Sequence, residues 1–274
     1  MPSSGPFTPM APPGEGRSYR SSQRVRLGDV TPGGHVRLDA VARYLQDIAS
    51  DDVDDAGISG EAAWVVRRAS LDVGHRPQYE DLLELVTWCS GTGAAWAERR
   101  TTVTLAGRPV IEASSLWVCM DKATLRPKPL DKRFFAVYGQ APQSRPVPSR
   151  LRLPADPPAG VTSRSWPLRR ADFDVLGHVN NAVAWAALEE QLSRGRPEPR
   201  ERPERFIARA QVEYRQAIGP GAGITVVSVD QHGADQDGAD QDGAIGAWLI
   251  DGSGVSAVSA VLRLSEPGPA GPGA

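Results

Sequence analysis

Apolar positions along the chain change their period in a fixed order, and then repeat that order. From residue 36 to residue 57 the segment VRLDAVARYLQDIASDDVDDAG sets Leu38, Val41, Leu45 and Ile48 three and four residues apart, the stripe of an amphipathic helix, with Gly57 as its stop. Four runs rich in β-branched and aromatic residues follow: WVVRRASLDV, LLELVTWCS, AWAERRTTVTLAG and PVIEASSLWVCMD. They predict antiparallel strands, with Ala106-Gly107-Arg108-Pro109 as a hairpin turn. Further along, ADFDVLGHVNNAVAWAALEEQLS predicts a second loop and helix. Strands are again predicted in RFIARAQVEYR, GITVVSVD, AIGAWLID and GVSAVSAVLRLS, with Asp251-Gly252 as another turn.

The recurrence holds in register. One offset of 143 residues puts His178 on His35, Asp172 on Asp29, Val179 on Val36 and Leu188 on Leu45. A long helix followed by antiparallel strands is an α+β unit that buries the helix against one face of its sheet, so two such units in tandem are predicted. Composition sets their bounds: residues 1–22 and 266–274, rich in Pro, Gly and Ser, are expected to be disordered, and residues 139–162 to form a stiff Pro-rich linker. Residues 23–138 and 163–265 are then the two folded units. Between two strands of the second, GADQDGADQDGA repeats ADQDG in tandem, but it lacks the ligand set and terminal Glu of an EF-hand loop.

Charge removes several classes of function. Over 274 residues the formal net charge is −2, so no global positive field exists to hold nucleic acid or an anionic membrane. The first residues contain no apolar core of a signal peptide and no run reaches the length of a membrane span, which predicts a cytoplasmic protein without membrane or nucleic-acid partners. Cys89 and Cys119 sit in strand-like stretches without CxxC spacing and read as buried free thiols. Neither a metal nor a cofactor is expected.

The chemistry concentrates in Asp172-Phe173-Asp174-Val175-Leu176-Gly177-His178-Val179-Asn180-Asn181, immediately before the second helix. Amides at a helix amino end are unpaired and carry the positive end of the dipole, so they suit the oxyanion formed when a thioester carbonyl is attacked. Gly177 and Val179 are the candidate oxyanion amides. Asp174 is the candidate to activate a water or to attack directly, two routes the sequence leaves open, and His178 the candidate donor to the carbonyl or the leaving sulfur. Asn180 completes the candidate set. Each also has a structural alternative: Asn180 or Asn181 as helix cap, Asp172 as an anchor for loop amides, His178 as a packed side chain.

The string DxDxxGHVNN followed by an Ala-rich helix resembles the active-site loop of hotdog thioesterases. WVVRRASLDVGHRPQYEDLLELVTWCSGTGAAWAERR and ASSLWVCMDKATLRPKPL in turn resemble the first hotdog domain of plant and bacterial acyl-ACP thioesterases. The resemblance, which runs over residues 24–135 and 165–230, implies a tandem hotdog fold and hydrolysis of fatty acyl groups from acyl carrier protein. It implies Asp174 and His178 as the catalytic pair, and acyl-chain selection by the first half, for which Val41, Leu45 and Ile48 are tunnel candidates. Three polar positions of the plant enzymes are apolar here, at Leu176, Ala217 and Ile218. In the first half Thr31 stands where the offset expects Asp174, and Arg37 where it expects Asn180, which predicts one working site.

Acyl carrier proteins are acidic, so a basic docking patch is expected. Between Asp121 and Arg133 five basic residues (Lys122, Arg126, Lys128, Lys132 and Arg133) face two acidic ones, and Arg169 and Arg170 precede the active loop. The chain is expected to act as a monomeric pseudo-dimer or as a homodimer. Two rival functions share these features: an acyl-CoA thioesterase, and a non-catalytic protein that binds acyl chains.

Overall fold

The computed structural model describes residues 7, 9–60, 62–141, 145–161, 163–193, 206–231 and 244–265. The first stripe becomes α1 (Leu38–Asp55), with Leu38, Val41, Leu45 and Ile48 all in the apolar core. Around it lie β1 (Ser18–Arg24), β2 (Ala63–Val73), β3 (Leu82–Thr92), β4 (Trp96–Leu105) and β5 (Arg108–Met120), and then the short α2 (Lys132–Tyr138). The second half supplies β6 (Ser163–Trp166), α3 (Asn181–Ser193), β7 (Ile207–Tyr214), β8 (Ile224–Gln231), β9 (Ala244–Asp251) and β10 (Ser256–Leu264).

All ten strands form one antiparallel sheet in the order β1-β3-β4-β5-β2-β7-β10-β9-β8-β6. Read from its centre outward, each side meets its strands in the same sequence, so the sheet has a pseudo-twofold at the β2–β7 seam. There Arg68 lies opposite Glu213 and Asp72 opposite Arg209, and Arg209 Nε reaches Asp72 Oδ1 at 3.2 Å. α1 packs against α3 across the same axis, and one apolar core runs through both halves. Each helix also reaches the amino end of the other. Glu189 of α3 accepts the otherwise unpaired N–H of Leu38 at 3.0 Å, and Gln46 of α1 faces the side-chain amide of Asn180 at 3.4 Å.

Three sequence expectations change. The disorder expected through residue 22 ends sooner, because β1 begins at Ser18 and pairs with β3 from Ser18 opposite Trp88. Ahead of it Arg17 binds Asp52 and Asp55, both at 2.6 Å. SYRSSQR shows no apolar face because β1 is an edge strand without a fully buried position, and the same holds for β6. α2 was not foreseen. Its seven residues are too few for a periodic signal, and Asp131 caps it by accepting the Phe134 N–H at 2.9 Å.

The described part of the Pro-rich segment between the halves, residues 145–161, contains no helix and is pinned to the sheet. Thr92 N–H donates to Arg145 O and Val147 N–H to Thr92 O, Trp96 Nε1 donates to Val147 O at 2.7 Å, and Glu213 accepts the amides of Arg152 and Leu153 at 2.8 and 3.1 Å. The ADQDG repeat, apart from Ala244, and residues 266–274 lie outside the described residues. Among the described residues no helix is long and apolar enough to cross a membrane.

Leu188, wholly buried in α3, tests the shared core. Leu188→Ala is expected to cost about 2–5 kcal/mol, seen as a lower urea midpoint at unchanged slope. A loss under about 1 kcal/mol would show that the helix face is not packed as described.

Candidate active site

The loop before α3 is built on backbone bonds that fix its side chains. A short 3-10 turn at Arg170–Asp172 ends on buried Asp172, whose carboxylate accepts the Arg169 N–H at 2.7 Å and its guanidinium at 2.7 Å, so Asp172 is an anchor of the loop. Phe173 bridges to Val179, Asp174 N–H donates to His178 O at 2.9 Å, Gly177 N–H to Asp174 O at 3.0 Å, and Asn180 N–H to Asp172 O at 2.8 Å. The turn puts residue 177 at φ +76°, which glycine adopts without the strain of a Cβ.

The first half repeats the backbone bonds of this turn at the 143-residue offset, including the Val30–Val36 bridge. Thr31 N–H donates to His35 O, Gly34 N–H to Thr31 O and Arg37 N–H to Asp29 O at 2.8–2.9 Å, with Gly34 at φ +82°. The backbone is the same and the chemistry is not. Thr31 replaces the carboxylate, and the Arg37 guanidinium turns to Asp39 at 2.9 Å instead of facing a cavity.

Asp174 Oδ1 accepts the Leu176 N–H at 2.9 Å, which aims the carboxylate, while Oδ2 has no partner among the described residues. The His178 side chain is exposed and likewise has none. Asn180 is the cap of α3, its Oδ1 accepting the Ala182 N–H at 2.9 Å. The two candidate oxyanion amides are committed elsewhere: Gly177 N–H to Asp174 O, and Val179 N–H to Ile218 O at 2.9 Å. Between residues 174 and 183, the amides of Val175, His178 and Asn181 are the ones that lack a partner among the described residues.

Asp174, His178 and Asn180 all line one cavity of about 390 Å³, with Gln46 across from them and Leu176, Ala217 and Ile218 as apolar wall. A second cavity of about 240 Å³ lies in the first half among Ala49, Val53, Ile58, Phe134 and Tyr138. Ser50, Trp64 and Trp117 line both, so the two adjoin. Val41, Leu45 and Ile48, expected to line the tunnel, line neither cavity; they face the core. The neighbouring stripe of the same helix, Gln46, Ala49, Ser50 and Val53, is the one that opens onto the cavities, at the same helical spacing. Cys89 also borders the first-half cavity, and burial pushes its thiol up to about 11, which keeps it protonated and unreactive.

None of the basic residues expected to dock a carrier lines either cavity. Lys122, Arg126 and Lys132 are exposed, Lys128 is half-buried, and Arg133 donates to Gly57 O at 2.7 Å, beside the first-half cavity. Arg169 is engaged with Asp172, whereas Arg170 is exposed next to the active loop. Among the described residues no cluster of three or more His, Cys, Asp or Glu side chains could hold a metal.

Residues 16–138 match the family described as the acyl-ACP thioesterase N-terminal domain. An uncharacterized protein of Mycobacterium tuberculosis is 28% identical over 222 residues, covering 80% of this chain and 85% of that one. Oleoyl-acyl carrier protein thioesterase 2 of Arabidopsis thaliana is 25% identical over 199 residues, 62% of this chain and 53% of the plant protein, so the match spans about half the length of that relative. Among solved structures, a Lactobacillus plantarum protein described as an oleoyl thioesterase superposes with a TM-score of 0.75 at 17% identity, over 93% of this chain and 99% of that one. By sequence, residues 16–138 are thus similar to the acyl-ACP thioesterase N-terminal domain, and the chain shares the double-hotdog fold of the Lactobacillus plantarum protein across nine tenths of its length.

Proposed function

We propose that this protein hydrolyses fatty acyl thioesters presented on acyl carrier protein, with Asp174 as the base, in a site where the two halves meet. The observation that carries the reading is the shared cavity. Asp174, His178 and the amino end of α3 face one wall of it, and its far side adjoins an apolar cavity suited to an alkyl chain. The similarity of residues 16–138 to the acyl-ACP thioesterase N-terminal domain and the name of the Arabidopsis relative support the substrate class.

The chemistry follows from the bonds already made. With Oδ1 held by Leu176, Asp174 Oδ2 takes a proton from water as the water oxygen adds to the thioester carbon. The carbonyl oxygen becomes an oxyanion against the unpaired amides of Asn181 and His178, with the imidazole of His178 as a further donor. When the C–S bond breaks, Asp174 returns the proton to the departing sulfur, leaving a free acid and a thiol. Gln46 fixes the Asn180 amide, so α1 of the first half positions the helix end that the second half uses. In this reading exposed Arg170, adjoining the active loop, and the basic Lys122–Arg133 segment attract the acidic carrier.

One feature favours a second reading. Leu176, Ala217 and Ile218 make this cavity wall less polar than a dense catalytic network requires, which suits a protein that binds acyl chains without turning them over. Asp174→Asn separates the two. On acyl carrier proteins loaded with chains of graded length, release of carrier thiol by the variant is expected to fall about 100- to 10,000-fold while acyl binding persists. Unchanged release would reject Asp174 as the base. Comparing rates on matched acyl-CoA and acyl-carrier substrates decides which carrier is preferred.

A further inference from the structure

Arg67 lines the same cavity as Asp174 and is not used by the chemistry above. It sits on an irregularity of β2: the pairing with β5 passes from Val66 opposite Trp117 to Arg68 opposite Leu116, so Arg67 is the extra residue of a bulge. A bulge re-aims one side chain out of the alternation of a strand. The ladder between β2 and β7 begins only at Arg68 opposite Glu213. Just beyond that point the Arg67 guanidinium takes over from the backbone, its Nη1 donating to Tyr214 O and to Arg215 O, both at 2.9 Å.

Held so by one nitrogen, Arg67 keeps Nε and Nη2 without partners among the described residues, and no carboxylate pairs with it. Arg215, the other guanidinium of this cavity, is different. It is paired with buried Glu213 at 3.3 Å and bonded to Ser259 at 2.8 Å. Half-buried Arg67 thus has no carboxylate bonded to it and keeps a free fork of donors, a geometry matched to a phosphate. Its wall reaches the surface, since Val65 lines the same cavity and is 43% exposed. Burial and Arg215 lower the pKa of Arg67 and Glu213 raises it.

We propose that Arg67 binds the phosphate of the phosphopantetheine arm that carries the acyl group, and so selects phosphorylated carriers over bare thioesters. This rests on the thioesterase reading of the Asp174 cavity. The arm separates its phosphate from its thioester, so with the carbonyl at the amino end of α3 a cation elsewhere on the same cavity wall is the partner offered to the phosphate.

The test compares one acyl group on 4′-phosphopantetheine and on pantetheine. In the wild-type protein kcat/KM is expected to be about ten- to a hundredfold higher on the phosphorylated substrate, the value of one charged hydrogen-bonded contact, with the difference in KM. Arg67→Gln brings that ratio close to one, and Arg67→Lys, which keeps the charge without the fork, restores part of it. Calorimetric titration with 4′-phosphopantetheine itself, without turnover, is expected to show about tenfold weaker binding to the glutamine variant, with urea midpoints confirming that the variant is folded. A wild-type ratio near one, or a ratio that survives Arg67→Gln, overturns the proposal. Loss of hydrolysis on every thioester would instead reject the thioesterase reading, and the titration would still decide whether Arg67 binds the phosphate.

Discussion

The amino ends of α1 and α3 are where this structure is most constrained, because the first amides of any helix have no partner within it. Here the two helices lie against each other across a pseudo-twofold, and each supplies the other's end. In the first half the solution is closed. Glu189 accepts the Leu38 N–H and also meets Arg76 at 3.4 Å, and burial keeps the Glu189 carboxyl above its ordinary pKa despite those donors. In the second half the solution is open. Gln46, at the position that the 143-residue offset assigns to Glu189, brings a neutral amide to Asn180 and leaves room for a cavity. One fold thus carries one sealed helix end and one available to a ligand.

That difference in a single pair of positions gives two repeats of one fold unlike helix ends. The two loops share the backbone bonds that close their turns and the glycines at positive φ, so the scaffold is common to both. With Thr31 and Arg37 in place of Asp174 and Asn180, the first loop lacks the carboxylate proposed as the base. The space beside it, between α1 and the Trp64–Trp117 wall, lies next to the second loop's cavity and is lined mainly by apolar side chains.

Much of this was legible in the sequence. The helix stripe, the eight inner strands and the offset were carried by apolar periodicity, which buried elements must show. The edge strands β1 and β6 were not, because a strand with no fully buried position has no reason to alternate. Asp174, His178 and Asn180 were legible as a rare string before a helix, yet their bonds were not. Gly177 and Val179 carry amides that the turn and Ile218 consume, a fact of tertiary pairing. Gln46 left a faint trace, since the offset pairs it with Glu189 as polar residues inside apolar helices. Arg67 left another, as two consecutive arginines in a strand break its alternation and mark a bulge. The tunnel stripe was misassigned by one face of α1, because periodicity identifies which residues are buried but not whether they border core or cavity.

The central claim is that one ligand spans both halves, reacting in the second and resting its chain in the first. It is tested most directly by a crystal structure with a non-hydrolysable acyl-pantetheine amide. The account predicts the amide carbonyl at the amino end of α3, within reach of Asp174, and the alkyl chain passing Trp64 and Trp117 toward Phe134. A chain lodged wholly within the second half, or a carbonyl bound at the Thr31 loop, would contradict it.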